Sequence, residues 1–331
     1  MNEEEARKLV AAEGKILLNT GLVARTWGNI SARIDDDHFV ITPSGLDYEN
    51  MKPEDLVKMT IFSKEYEGNR KPSSEKGIHI AAYALDPDTG YCIHTHQTYA
   101  TAIGLCGIDK LDITDEERRA LGGMCVAAYG ISSTKKLSKE VYKALKTGAK
   151  VIFMVHHGVL ICGKDREEAF NRALLLEEIC KRNIKGQPTD APKYDERAEE
   201  VAKEVLKERR HAEIIVTPET LKAANIGKSI PAQVDDMAQM IGKKIPFIAP
   251  ASKDEIIGAL DKYGAALVAG LGIIVWDLKE DETIALSILA RKATTVYLHS
   301  KEAGVSGKLN GLDIFLQHLI YKKKYSKQKN A

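Results

Sequence analysis

A mixed α/β fold in two domains is what the sequence predicts. Three observations carry the prediction. Helix-periodic and strand-like segments alternate over the first 186 residues. The chain has 331 residues, more than one core usually encloses. A strand, Gly, strand, helix pattern also occurs twice, over 148–183 and over 263–299.

Taken in order, MNEEEARKLVAAEGKILLNTG predicts a helix over 3–20 that stops at Gly21, and its charge predicts that it is not a signal peptide. Strands follow near 28–33 (GNISAR) and 38–42 (HFVIT), with IDDD as the turn between them. SSEKGIHIAAYALD (73–86) reads as a helix, GYCIHTH (90–96) as a strand, and a further helix starts near Thr98. KLSKEVYKALKTG (136–148) is helix-periodic to Gly148. KVIFMVHH (150–157) and VLICG (159–163) are strand pieces on either side of Gly158. A long helix over 165–186 takes Asp165 as N-cap and Gly186 as terminator. The polar, two-proline segment 185–196 reads as a linker, which divides the chain into domains 1–190 and 191–331.

Bulk properties narrow the function. Ordinary composition and a net charge of +1 point to neither nucleic acid nor membrane as partner. The longest apolar stretch, AALVAGLGIIVW (265–276), is too short to span a bilayer. Five cysteines, with no CxxC among them, fit neither a disulfide framework nor a Cys-based zinc site, and a reducing cytoplasm is the expected location.

The histidines carry the first chemical signal. On a strand, His94 and His96 project to one face, because positions two apart share a side. A second pair, His156 and His157, closes another apolar strand. Two imidazoles from one strand and one from another make a three-ligand site suited to a catalytic metal. Spacing leaves open which of His156 and His157 takes part, and a buried, hydrogen-bonded core histidine is the alternative reading for each. Ser73 and Ser74 read as helix N-caps or as phosphate ligands with the first free N–H groups of the helix. The loops TWGNISAR (26–33) and ITPSGLD (41–47) read as turns or as further anion contacts. Glu75 is a favourable partner for the helix dipole or, beside a metal, a general base.

Together GNIS (28–31), ITPSGL (41–46), KPSSE (71–75), IHTH (93–96) and HHG (156–158) resemble, in order and spacing, the class II aldolase/adducin family, and within it the fuculose-1-phosphate aldolase branch. The resemblance covers about residues 5–185. It implies an α/β/α fold around a mostly antiparallel central sheet, and a homo-oligomer with the active site near a subunit or domain interface. It places the metal ligands on His94, His96 and His157, and the catalytic carboxylate on Glu75. Phosphate binding falls on Asn29, Ser44, Gly45, Ser73 and Ser74, with Thr26 a further candidate. The cofactor implied is Zn2+; three imidazoles with an open position also accept cobalt, nickel or manganese.

The function implied is a metal-dependent sugar-phosphate aldolase. It would cleave a phosphorylated keto-sugar to dihydroxyacetone phosphate and an aldehyde by way of a metal-stabilised enediolate. Glu at position 75, where related 4-epimerases tend to carry Asp, favours the aldolase. The alternatives are an epimerase, dehydratase or decarboxylase with the same metal chemistry, or an adducin-like binding module without it. Two departures stand out. The segment between Leu105 and Cys125 lacks the tyrosine that related aldolases use on the aldehyde side. The C-terminal half resembles a degenerate, partial second copy of the fold, with Leu271 where the first copy has His157, and is expected to act as a pseudo-subunit without ligands or as an interaction domain.

Overall fold

The computed structural model describes residues 1–23, 27–188 and 193–328, with side chains to 322. Thr26 therefore lies outside the described residues. The chain forms two compact units, Met1–Asn183 and Ile184–Ala331.

The first unit opens with α1 (Glu3–Asn19), held at its start by a capping box between Asn2 and Glu5. There follow β1 (Gly28–Arg33), β2 (His38–Ile41), β3 (Val57–Thr60), α2 (Lys76–Leu85), β4 (Tyr91–Thr95) and α3 (Thr98–Cys106). Next come α4 (Asp115–Leu121), β5 (Met124–Ala127), α5 (Lys135–Leu145), β6 (Val151–Met154), β7 (Gly158–Gly163) and α6 (Arg166–Arg182). The strands make one seven-stranded sheet in the order β3-β2-β1-β4-β7-β6-β5. Every neighbouring pair is antiparallel except β5 and β6. This is the mostly antiparallel α/β architecture expected.

Helices α2 and α5 cover one face, where Phe39, Met59, Ile152 and Leu160 meet Ile78, Tyr83 and Val141 in one buried cluster. Helices α3 and α6 cover the other, with Gly104 lying on the Phe153 ring. Burying side chains like these contributes about 1.5–3 kcal/mol each, which holds the sheet rigid beneath its edge residues.

Of the boundaries that differ from the sequence expectation, three bear on the site or on the division of the chain. Helix α2 starts at Lys76 rather than Ser73, because Ser73 and Glu75 form a turn: the Lys76 N–H donates to the Ser73 carbonyl and the Glu75 N–H to Ser73 Oγ. Helix α6 ends at Arg182, not Gly186, because the Asn183 side chain caps it, donating to the Ile179 and Asp112 carbonyls. The strand expected over 150–157 stops at Met154, and His156 adopts a left-handed conformation (φ 67°) in the turn that follows.

The second unit comprises α7 (Glu196–Glu208), β8 (Glu213–Ile215), α8 (Pro218–Ile226), β9 (Ile230–Pro231), α9 (Asp235–Met240), β10 (Lys244–Ile245) and β11 (Phe247–Ile248). It continues with α10 (Lys253–Tyr263), β12 (Ala265–Val268), β13 (Gly272–Val275), α11 (Glu280–Glu302) and α12 (Gly311–Gln328). Its main sheet runs β11-β12-β13-β8, parallel between β11 and β12 and antiparallel elsewhere. That order and those directions are the ones of β5-β6-β7-β4 in the first unit. Among the described residues, no helix is long and apolar enough to cross a membrane.

Candidate metal centre and active site

The candidate site gathers at one end of the seven-stranded sheet, on the face covered by α2. Register sets two of its residues side by side, since Asn29 on β1 pairs directly with His94 on β4. His96 follows just past the end of β4. The segment is held there by α6: Gln97 Nε2 donates to the Ala173 carbonyl at 2.7 Å, and the Glu177 carboxylate accepts the Tyr99 and Ala100 N–H groups, each at 2.9 Å. Glu177 thus supplies the negative charge that the first turn of α3 favours. His157 arrives from the turn between β6 and β7. Gly158 lets that turn press on β4, since a Cβ there would run into the Thr95 carbonyl oxygen.

The three imidazoles converge. His94 Nε2 is 3.1 Å from His96 Nε2 and 3.2 Å from His157 Nε2, and the His94 and His157 rings stack at 5.0 Å. The Glu75 carboxylate closes the group, with Oε2 at 3.1 Å from His94 Nε2 and Oε1 at 3.0 Å from His157 Nε2. One donor atom from each of the four lies within 4.8 Å of all the others. Of the two neighbouring histidines left open by spacing, His157 joins the cluster, while His156 stands edge-on to Tyr129 with ring centroids 5.0 Å apart.

The donor set fits a divalent metal. His94 Nδ1 lies 2.8 Å from the Val159 carbonyl, which only accepts, so Nδ1 carries the proton and Nε2 presents a lone pair to the cluster. A lone pair facing other electron-rich atoms at about 3 Å is unfavourable without positive charge among them. A tetrahedral ion with bonds of 2.0–2.1 Å spaces its ligand atoms by about 3.4 Å, close to the 3.1, 3.2 and 3.1 Å from His94 Nε2 to His96, His157 and Glu75. Burial raises the Glu75 carboxyl, but positive charge on the His157 and His94 rings would outweigh burial and hold it well below the usual carboxylate range; with those rings neutral, a cation among them would play the same part.

The expected phosphate residues divide into two sets. The loops carrying Ser44 with Gly45, and Ser73 with Ser74, are clamped together by a bridge between Pro43 and Pro72. The Ser44 N–H donates to the Lys71 carbonyl and the Ser73 N–H to the Thr42 carbonyl, so the backbone N–H groups of both serines are taken up in joining the two loops. Asn29 behaves differently. It is buried, with Nδ2 3.2 Å from Glu75 Oε2.

The loop between β5 and α5 brings residues that sequence reasoning missed. Ser132 Oγ donates to Glu75 Oε1 at 3.0 Å, and Ser133 Oγ donates to Ser74 Oγ at 2.8 Å. The loop lies 57 residues from Glu75 in the chain. Its only local signal is the GISST run ahead of a helix.

A mostly antiparallel sheet with three imidazoles and a carboxylate at its strand ends defines a candidate metal-dependent enzyme of the class II aldolase type. Residues 8–184 match the family described as class II aldolase and adducin N-terminal domain, and the chain belongs to that family. The resemblance read from the five motifs is thereby borne out. Among curated proteins, the chain is 35% identical over 174 residues to L-ribulose-5-phosphate 4-epimerase UlaF of Salmonella paratyphi C (strain RKS4594), spanning 49% of this chain and 76% of the relative. Among solved structures it is similar to an L-fuculose 1-phosphate aldolase, at 31% identity and TM-score 0.50, over 54% of this chain and 84% of that one. YgbL from Klebsiella pneumoniae, 24% identical with TM-score 0.50 over 55% and 89% of the two chains, shares the fold.

Proposed function

We propose that the chain is a zinc-dependent sugar-phosphate aldolase that cleaves a phosphorylated keto-sugar to dihydroxyacetone phosphate and an aldehyde. The carrying observation is the convergence of His94, His96, His157 and Glu75 on one point. Held there, the metal would supply Lewis acidity at the substrate's carbonyl oxygen. Glu75 is the group that moves the proton at the carbon beside that carbonyl: ionised, it takes that proton in the condensation direction, and in cleavage it returns one to the same carbon. Ser132, donating to Glu75 Oε1, orients the carboxylate. Ser44, Ser73 and Ser74, on their clamped loops, hold the phosphate and turn its binding energy into positioning of the reacting carbon. Gly45, in a left-handed conformation, lets backbone approach the phosphate closely.

A second reading has its own support. The 35% identity to a 4-epimerase favours inversion at a hydroxyl-bearing carbon, which the same carbon–carbon bond chemistry performs if the aldehyde turns before the bond re-forms. Glu at position 75 keeps the aldolase first. The test is elemental analysis beside a two-substrate assay. Metal bound by the purified protein and lost in His96→Ala, with dihydroxyacetone phosphate formed from L-fuculose 1-phosphate, supports the aldolase. Conversion of L-ribulose 5-phosphate to its 4-epimer without net cleavage would replace it by the epimerase. Absence of metal in a folded protein would leave a binding module.

We further propose that residues 191–331 are a partial second copy of the aldolase fold that carries no metal ligands. Its sheet has the strand order and directions of β5-β6-β7-β4. Helices α3 and α8 are both nine residues long, start three residues after their strands and end at Gly107 and Gly227. The turns correspond as well: the His157 N–H donates to the Met154 carbonyl and the Leu271 N–H to the Val268 carbonyl, with left-handed residues at His156 (φ 67°) and Gly270 (φ 70°). In this register Ile214, Val216 and Leu271 occupy the positions of His94, His96 and His157. Combining Ile214→His, Val216→His and Leu271→His is expected to add a second metal to each chain. Unchanged metal content in the folded variant would sink the correspondence.

A further inference from the structure

Strand β1 and helix α2 meet through a row of polar side chains that runs back from Glu75 into the core. Asn29 and Ser31, two apart on β1, share one face. His79 and Tyr83, four apart, share one stripe of α2, and Glu75, four residues before His79, stands at its N-cap. Their contacts are continuous. Asn29 Nδ2 is 3.2 Å from Glu75 Oε2, and His79 Nε2 is 2.5 Å from Asn29 Oδ1. Ser31 Oγ is 2.6 Å from His79 Nδ1 and 2.7 Å from the Tyr83 hydroxyl. All five side chains are buried, His79 completely.

The direction of each hydrogen bond follows from what each group can do. An ionised carboxylate only accepts, so Asn29 turns its NH2 to Glu75; reversed, its oxygen would face the carboxylate. Asn29 Oδ1 then faces His79 and accepts, which puts the His79 proton on Nε2. His79 Nδ1 is left as an acceptor for the Ser31 hydroxyl, and Ser31 in turn accepts from Tyr83. Burial, with His94 nearby, pushes the His79 pKa down to about 3, consistent with a neutral ring.

We propose that His79 is a positioning residue for Glu75, acting through Asn29: its Nε2–H holds the Asn29 amide with the donor end on the carboxylate. Glu75 Oε2, the oxygen so held, is also the one 3.1 Å from His94 Nε2. The Asn29 amide therefore serves the carboxylate before it serves any phosphate. A buried residue two hydrogen bonds removed from the carboxylate thus holds Oε2 between Asn29 and His94, while Oε1 meets His157 and Ser132. The assignment rests on reading Glu75 as the catalytic carboxylate.

Two variants separate this role from packing. His79→Gln keeps an N–H for Asn29 Oδ1, and His79→Leu removes it while keeping an apolar side chain in the core. The expected result for His79→Leu is a kcat about 10–100-fold lower with KM little changed and metal content intact, and for His79→Gln recovery of most of that loss. Equal losses in the two variants, or a loss confined to KM, would overturn the proposal. The tautomer is read without substrate, in a long-range nitrogen–proton correlation spectrum of the wild-type imidazoles. A proton on His79 Nε2 with a bare Nδ1 is expected; a proton on Nδ1, or a charged ring at neutral pH, would overturn it. A wild-type protein that turns over no sugar phosphate would instead sink the functional reading, and the spectrum would still decide the assignment of His79.

Discussion

His94 Nδ1 donates to the Val159 carbonyl across the β4–β7 pair, at 2.8 Å, and that bond decides which nitrogen His94 turns toward His157 and Glu75. The strand pairing therefore selects the metal-binding tautomer before any ion arrives. The neighbouring histidines of the HHG run differ in kind, because the turn after β6 sends one ring into the cluster and the other toward Tyr129. His157→Ala is expected to abolish tight metal binding and His156→Ala to preserve it. Elemental analysis of the two purified variants checks this; the reverse result would mean the turn is wrongly assigned.

Glu75 is held by Asn29 and Ser132, so removing its charge should leave the fold in place. Glu75→Gln is expected to lower kcat by about 100- to 10,000-fold, the usual range for a lost acid–base group, with an unchanged circular dichroism spectrum. A variant retaining more than a tenth of the activity would assign the proton transfer to another residue.

How much of this was legible in the sequence depends on the range of the contacts. His94 and His96 could be placed on one side from spacing alone, since a two-residue period needs only the strand. His157 could not be separated from His156, because strand alternation fails where the chain leaves β6 and His156 becomes left-handed. Ser132 and Ser133 reach the site by folding across more than fifty residues, which no local pattern records. The His79 row is a different case: N-x-S on a strand and E-x3-H-x3-Y on a helix were both visible, but only the packing of β1 on α2 joins them. Strands β3 and β5, four residues each, went unread because so short a run carries little periodicity. Helix α4 also went unread, although Thr114 and Glu117 form a capping box that announces it.

Acid stability should report on His79. A histidine in an unfolded chain titrates near 6.5, whereas the buried His79 titrates at about 3. Above pH 6.5 the ring is neutral in both states and its contribution is fully present. As pH falls below 6.5 the unfolded chain takes up a proton that the folded chain refuses, so stability is lost progressively toward pH 3. The slope approaches 1.36 kcal/mol per pH unit, or about 2 kcal/mol between pH 6.5 and 5. Urea unfolding of wild type and His79→Gln at pH 7 and pH 5 measures it. The variant is expected to lose about 2 kcal/mol less over that interval; parallel losses would mean that His79 is protonated in the fold.

Gly158 and Gly272 make the last comparison, because each sits where a strand carbonyl leaves no room. A Cβ on Gly158 would meet the Thr95 carbonyl oxygen and lie 3.3 Å from His94 Cε1; one on Gly272, at φ 119°, would lie 2.5 Å from the Ile215 carbonyl oxygen and 2.9 Å from Thr220 Oγ1. Neither neighbour can yield, since both carbonyls belong to paired strands. Alanine at either position is expected to cost about 1–3 kcal/mol or more, measured as a lower urea midpoint for the unit that contains it. The two variants should part on metal. Gly158→Ala pushes against the His94 ring and should weaken metal binding in a titration, whereas Gly272→Ala has no such ring beside it and should leave metal affinity at the wild-type value. Equal metal affinity in both would show that the His94 ring tolerates movement of the turn, and that the pairing of β4 with β7, rather than the close approach at Gly158, holds the cluster together.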